Sequence, residues 1–278
     1  MKDVSFGQYY PVESPIHRLD PRIKLLSVIL YIVAIFFIRK FVGFAVVAVF
    51  LLTVIFLSRV PLGKVLKSVR AVIFLVIFTV VMSILFYSTK DAEPLWAWGI
   101  IKIYKQGILN AARMGLRLIF LVIGPAVMTL TTTPVELTDG LESLLKPLAM
   151  IKLPVHELAI IMSIALRLIP TLTEETEKIM NAQKARCADF DTGNIFKRAK
   201  ALLPILIPLF VSSFRRADEL ADAMDSRCYR GAKGRTRMKV LRLKPGDFIA
   251  AFFMLALFFV ILVLKYNWFG WYFITLLI

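Results

Sequence analysis

The sequence predicts an all-α integral membrane protein, with about five transmembrane helices and two long amphipathic helices on the cytoplasmic side. Two observations carry this reading. Of the 278 residues, 59% are hydrophobic, more than the roughly half usual for a soluble domain, and they fall in long blocks. The formal net charge is +16, and most of the cations gather between those blocks. One globular core does not absorb so much apolar length, so lipid is the expected solvent.

The blocks able to span a bilayer are 25–38, 41–57, 71–87, a weaker one at 114–130, and 248–264. The first and fourth need flanking polar residues to reach the about 20 residues of a crossing. Arg117 lies inside the fourth, beside Gly124 and Pro125. A charge at that depth is expensive unless it faces protein or water, so this helix is expected to pack against others. The aromatic tail from Trp268 to Ile278 is too short to cross again and suits an interface. The polar opening through Asp20 lacks the character of a cleavable signal. Arg18, Arg22 and Lys24 precede the first block, and Arg59, Lys64, Lys67 and Arg70 join the second to the third. By the positive-inside rule the N-terminus is cytoplasmic, with Arg39 and Lys40 on the wrong side in a very short loop. The expected organisation is a four-helix membrane region over 1–130, a cytoplasmic region over 131–247, and a final spanning helix with its tail over 248–278.

Within 131–247, the stretch 134–150 reads as a short amphipathic helix, with Pro134 and Glu136 in its first turn. Two apolar runs follow, 158–169 and 201–214, each shorter than a crossing and each continued by a charged segment. Such helices begin against the membrane and end in water. Extra spanning or re-entrant helices are the alternative. Pro170, Pro204 and Pro208 are candidate bends, since each removes a backbone donor.

One pattern occurs twice, as Ala182-Gln-Lys-Ala185-Arg186-Cys187 and Ala223-Met-Asp-Ser226-Arg227-Cys228. Each copy ends a charged helix half. An arginine there meets the helix's unsatisfied carbonyls and still extends a planar fork of donors past the tip. One such arginine is adequately explained as a cap; a matched pair favours a partner. The stretch 227–244 holds eight basic residues and no acidic one, which beside a membrane implies anionic headgroups. Interleaved aromatic platforms are missing, which argues against nucleic acid.

Other chemistry is weakly signalled. Cys187 and Cys228 lack a CxxC partner, and His17 and His156 are the only histidines, so no metal site is expected. Asp189-Phe-Asp-Thr-Gly193 reads as a helix-ending turn rather than a phosphotransfer motif. A GxxxxGK[ST] loop is lacking, and no convincing acid, base or nucleophile cluster emerges, so neither catalytic residues nor a cofactor are assigned. Glu174, Glu175 and Glu177 read as a solvated face.

Three segments together resemble the T component (EcfT, CbiQ-like) of energy-coupling factor transporters, the ABC-type importers of vitamins and metal ions. They are Ser14-Pro-Ile-His-Arg-Leu-Asp-Pro21 followed by Arg22 and Lys24, then Ala165-Leu-Arg-Leu-Ile-Pro170 through Glu174 to Ala185-Arg186-Cys187, and Ala223 through Ser226-Arg227-Cys228-Tyr-Arg-Gly231 with Gly234-Arg-Thr236. The last looks more like the shared T components than the cobalt-dedicated ones. The family often has Gly after each arginine; cysteine here is expected to tolerate helical geometry. The resemblance implies a non-catalytic subunit of a bacterial or archaeal cell membrane. It would link two ABC-type ATPase subunits to a membrane-embedded substrate-binding S component. Arg186 and Arg227, with Ala185, Cys187, Ser226 and Cys228, would dock on the ATPases. The rival readings are a conventional ABC permease, which would use a short coupling loop, and a membrane-embedded enzyme.

Overall fold

A computed structural model describes residues 9–86, 96–98, 101–147, 154–188, 190, 194–231 and 241–266. The basic run after Gly231, the tail from Trp268 and most of the Asp189–Gly193 turn lie outside the described residues. The chain divides into two compact units, one over 7–143 and 241–278, the other centred on 144–240.

The first unit holds α1 (Pro21–Phe37), α2 (Phe41–Ser58), α3 (Leu62–Arg70), α4 (Ile73–Leu85), α5 (Lys105–Thr131) and α9 (Pro245–Tyr266). Most of α6 (Pro134–Leu145) also belongs to it. Two three-residue strands, β1 (Trp96–Trp98) and β2 (Ile101–Ile103), pair antiparallel between α4 and α5 and are the only strands among the described residues. By length and composition α2, α5, α7 (Val155–Ala185) and α9 are each able to cross a membrane, as is the α3–α4 pair taken together. At 17 residues α1 is shorter, about 25 Å along its axis. The connection before the third block, expected to be a loop, is the amphipathic helix α3, bent 56° from α4. Only Val65 of α3 is buried, while Lys64, Lys67 and Arg70 point outward as on an interfacial helix.

The core is built where α1, α2 and α9 meet. Tyr31, Ala34 and Ile35 of α1 pack with Phe44, Val47 and Leu51 of α2 and Met254, Leu257 and Ile261 of α9. On the opposite faces of these helices, and on α4, large apolar side chains stay exposed, among them Phe56, Phe252 and Phe74, as lipid-facing residues must. The α5 helix presses close because Gly124 faces the Tyr31 ring; a Cβ there would clash with Cε1. The Tyr31 hydroxyl donates to the Phe120 carbonyl at 2.8 Å, so its polar tip is satisfied at depth.

Polar layers bound this unit at its two ends. Lys24, Thr131 and Asp247 belong to one; Arg39, Arg113, Arg117 and Lys265 belong to the other. Along α1, α5 and α9 the layers are separated by fourteen to eighteen residues, about 21–27 Å at 1.5 Å per residue. That nearly matches a hydrocarbon core of about 30 Å. Arg117, the charge inside α5, meets protein as expected: its NH2 donates to the Ile38 carbonyl at 2.8 Å.

The second unit contains α7 and α8 (Ile195–Ser226), helices of 31 and 32 residues packed on one another. Both run continuously through their prolines, Pro170 in α7 and Pro204 and Pro208 in α8.

Candidate functional site

The two arginine motifs end their helices in the same way. Arg186 is the C-cap of α7, and Cys187 then turns left-handed with φ 66°. The Cys187 amide donates to the Lys184 carbonyl at 2.9 Å and the Ala188 amide to Gln183 at 3.0 Å. In α8 the Cys228 amide donates to Asp225 at 2.8 Å and the Tyr229 amide to Met224 at 3.0 Å, with Cys228 at φ 56°. These are two copies of the Schellman ending, in which the last orphan carbonyls are taken up by the reversing backbone. Cysteine was expected to tolerate helical geometry. Instead both cysteines have left the helix and occupy the left-handed position that glycine fills without steric cost.

Because backbone amides satisfy these carbonyls, the arginine side chains are not needed as caps. Arg186 and Arg227 are exposed, and among the described residues neither side chain forms a hydrogen bond or ion pair. Ala185 and Ser226 are exposed beside them, and both cysteines are exposed free thiols. The Ser226 hydroxyl turns back to the Ala223 carbonyl at 3.0 Å.

A clamp that sequence reasoning missed holds the two helices together. Glu175, expected on a solvated face, is largely withdrawn from solvent at the α7–α8 contact. One of its carboxylate oxygens accepts from Arg216 NH2 at 2.6 Å and the other from the Ser212 hydroxyl. Ser212 and Arg216, four residues apart, lie on one stripe of α8 with the buried Ile205. Glu175 lies eleven residues before Arg186, and Arg216 lies eleven before Arg227. The two arms beyond the clamp are therefore equal, about 16 Å each. All three prolines precede the clamp, so both arms are proline-free. The i, i+4 pairing of Ser and Arg was the available signal, but only a contact between helices gives it meaning.

On the opposite side of α8, Leu203, Ile207, Phe210 and Phe214 recur at helical spacing and remain exposed. A stripe of that kind is built to be covered.

The N-terminal segment 14–24 builds a buried polar junction in the first unit. Asp20 caps α1, accepting from the Arg22 amide at 2.9 Å. Asp247, 1% exposed, accepts from the Lys244 amide at 2.6 Å and from the Asp20 amide at 2.7 Å. One carboxylate thus serves the N-termini of both α9 and α1, where helix dipoles favour negative charge. Lys24, 7% exposed, donates to the carbonyls of His17 and Thr131 and to the Thr132 hydroxyl. Thr133 and Glu136 form a capping box on α6, each side chain accepting from the other's amide. His17 donates from Nε2 to the Tyr10 carbonyl at 3.1 Å, leaving Nδ1 to accept from Ser14 Oγ at 2.6 Å. Burial holds the His17 pKa below its ordinary value. Among the described residues no group of His, Cys, Asp and Glu is placed to hold a metal ion.

Known proteins resemble this chain over nearly its whole length. The CbiQ family model, described as cobalt transport protein, matches residues 12–240. A protein of Clostridium kluyveri named "Energy-coupling factor transporter transmembrane protein EcfT" is 50% identical over 97% of this chain and 99% of its own. Proteins of the same name from Acidaminococcus fermentans and Bacillus subtilis are 47% and 44% identical, over 96% and 87% of this chain and 98% and 90% of theirs. The membrane unit, the two matched helix ends and this similarity together place the chain in the CbiQ/EcfT family, the transmembrane components of energy-coupling factor transporters.

Proposed function

We propose that this chain is a non-catalytic coupling subunit, passing ATP-driven motion from two ABC-type ATPase subunits to a membrane-embedded S component. The observation that carries the reading is the pair of equal arms beyond the Glu175 clamp, each ending in an exposed arginine. Each arginine docks in a groove of one ATPase. Closure of the ATPase pair on ATP then moves the tips relative to each other, and the clamp converts tip motion into rotation of the helices. The S component lies on the exposed apolar stripe of α8, senses that rotation and releases its vitamin or other micronutrient. Substrate chemistry resides in the S component, and the chain's likeness to shared T components suits service to several of them. Pro170 lies between the apolar half of α7 and the clamp, and Pro204 and Pro208 lie within the apolar half of α8, where a missing donor softens the helix. The N-terminus is cytoplasmic, in a bacterial or archaeal cell membrane.

The test is coexpression with ATPase subunits and an S component, comparing wild type with Arg186→Glu, Arg227→Glu and the double variant. Copurification and substrate-stimulated ATP hydrolysis in liposomes are the readouts. The double variant is expected to insert normally and lose its ATPases or uncouple hydrolysis from uptake. Assembly and transport at wild-type levels would overturn the proposal.

A further inference from the structure

The apolar stripe of α8 does not stop at Phe214 but changes chemistry there. Leu203, Ile207, Phe210 and Phe214 are followed, at the same helical spacing, by Asp218, Asp222 and Asp225. Steps of three and four residues keep them all on one face, turned away from the stripe of Ser212 and Arg216. The face is therefore apolar for about 16 Å and then acidic for about 10 Å. All three aspartates are exposed, and among the described residues none of their side chains forms a hydrogen bond or ion pair. Arg215 and Glu219 lie exposed on the flank with opposite signs, so the stripe stays acidic.

These carboxylates work against their own helix. Aspartate is a weak helix former, and Asp225 stands near the C-terminus, where the helix dipole favours a cation. The last turn of α8 has no basic residue, whereas that of its counterpart α7 has Lys184. The acids therefore serve something outside α8.

The order of chemistry along the face says what covers it. Lipid does not fit, because the anionic cytoplasmic leaflet is repelled by carboxylates. The charge that suits that surface is seen on α3, where Lys64, Lys67 and Arg70 accompany the exposed Leu62 and Leu66. A soluble protein would meet the aspartates and leave the apolar stripe bare. A membrane protein meets both, since the positive-inside rule places Lys and Arg where its helices leave the cytoplasmic face of the bilayer.

We infer that Asp218, Asp222 and Asp225 pair with the basic cytoplasmic rim of the membrane partner whose helices cover Leu203, Ile207, Phe210 and Phe214. The inference rests on the coupling reading above, in which that partner is an S component. It also gives one chain a means of holding several S components, because the rule that makes the rim basic is independent of substrate.

The test uses the full-length chain in complex with its ATPases, in detergent, and two fluorescently labelled S components of different vitamin specificity. Affinity is read by microscale thermophoresis at low and high sodium chloride. At roughly threefold per exposed ion pair, Asp218→Asn with Asp222→Asn should weaken both S components about tenfold at low salt and remove most of the salt dependence. The ATPases should copurify with this variant as with the wild type, which shows that the arms still fold. A water-soluble carbodiimide, which joins a carboxylate to an amine in contact with it, should link Asp218 or Asp222 of the wild type to a lysine of the S component. Unchanged affinity in the double variant would overturn the inference and leave the coupling reading standing. Links made only to Lys233 or Lys239 of this chain, or to an ATPase, would do the same. Failure of the wild-type complex to bind either S component would overturn both.

Discussion

Glu175→Ala removes the only carboxylate that holds α7 to α8 among the described residues. It takes away one charge-assisted hydrogen bond from Arg216 and one from Ser212, each worth about 1.5–3 kcal/mol when well shielded. The Glu175 side chain is 23% exposed and that of Arg216 33%, so solvent screening reduces the sum to about 2 kcal/mol. The structural consequence is larger than the energetic one. Each arm extends about 16 Å past the clamp, so a change of about 10° in the helix crossing moves a tip by about 3 Å. The chain's two cysteines, Cys187 and Cys228, sit at those tips as exposed thiols. They allow spin labelling without any further substitution. Double electron–electron resonance should show one distance distribution for the wild type and a broadened or shifted one, by about 3 Å, for Glu175→Ala. A double-mutant cycle of Glu175→Gln with Arg216→Gln should return a coupling of about 1 kcal/mol or more. An unchanged distribution together with additive stabilities would refute the clamp.

The remaining expectations concern packing, caps and charge. Gly124→Ala drives a methyl into the Tyr31 ring and should cost about 3 kcal/mol by thermal unfolding in detergent, whereas Tyr31→Phe, losing one hydrogen bond, should cost about 1. Cys187→Gly and Cys228→Gly relieve left-handed strain of about 1 kcal/mol each, partly offset by unfolded-state entropy, and should slow amide exchange at the caps. Lys24→Met orphans three acceptors beside two buried carboxylates and should destabilise by about 3 kcal/mol. Because folding lowers the His17 pKa, the unfolded chain binds more protons below about pH 6.5. Stability is therefore complete above that pH and falls as pH drops toward the lowered value. The melting temperature should decline between pH 7.5 and 5.5, and less steeply in His17→Gln.

Membrane class, the helical blocks and the paired arginines were legible because they are local or compositional. The α2 helix begins at Phe41 as its apolar run does, and α9 begins with Pro245, three residues before its apolar block. Pro134 and Glu136 in the first turn of α6 revealed a helix start, because capping needs only neighbouring residues. The α3 helix was less visible: three cations in nine residues mask its single buried Val65. The first half of α7, read as too short to cross, belongs to a helix long and apolar enough to do so.

Taken alone, the sequence determined that the chain lives in lipid, where its helices run and which two arginines end them, since these follow from side-chain polarity and spacing. Only the tertiary structure decided that Glu175 is a clamp and not a solvated charge, and that Asp247 serves the start of α1, 227 residues before it, as well as the start of its own helix. It also decided that Arg39 and Arg117 belong to one cationic end. Each of these is a polar pairing between distant segments. The energy of such a pair depends on distance and shielding, neither of which is written in the order of residues.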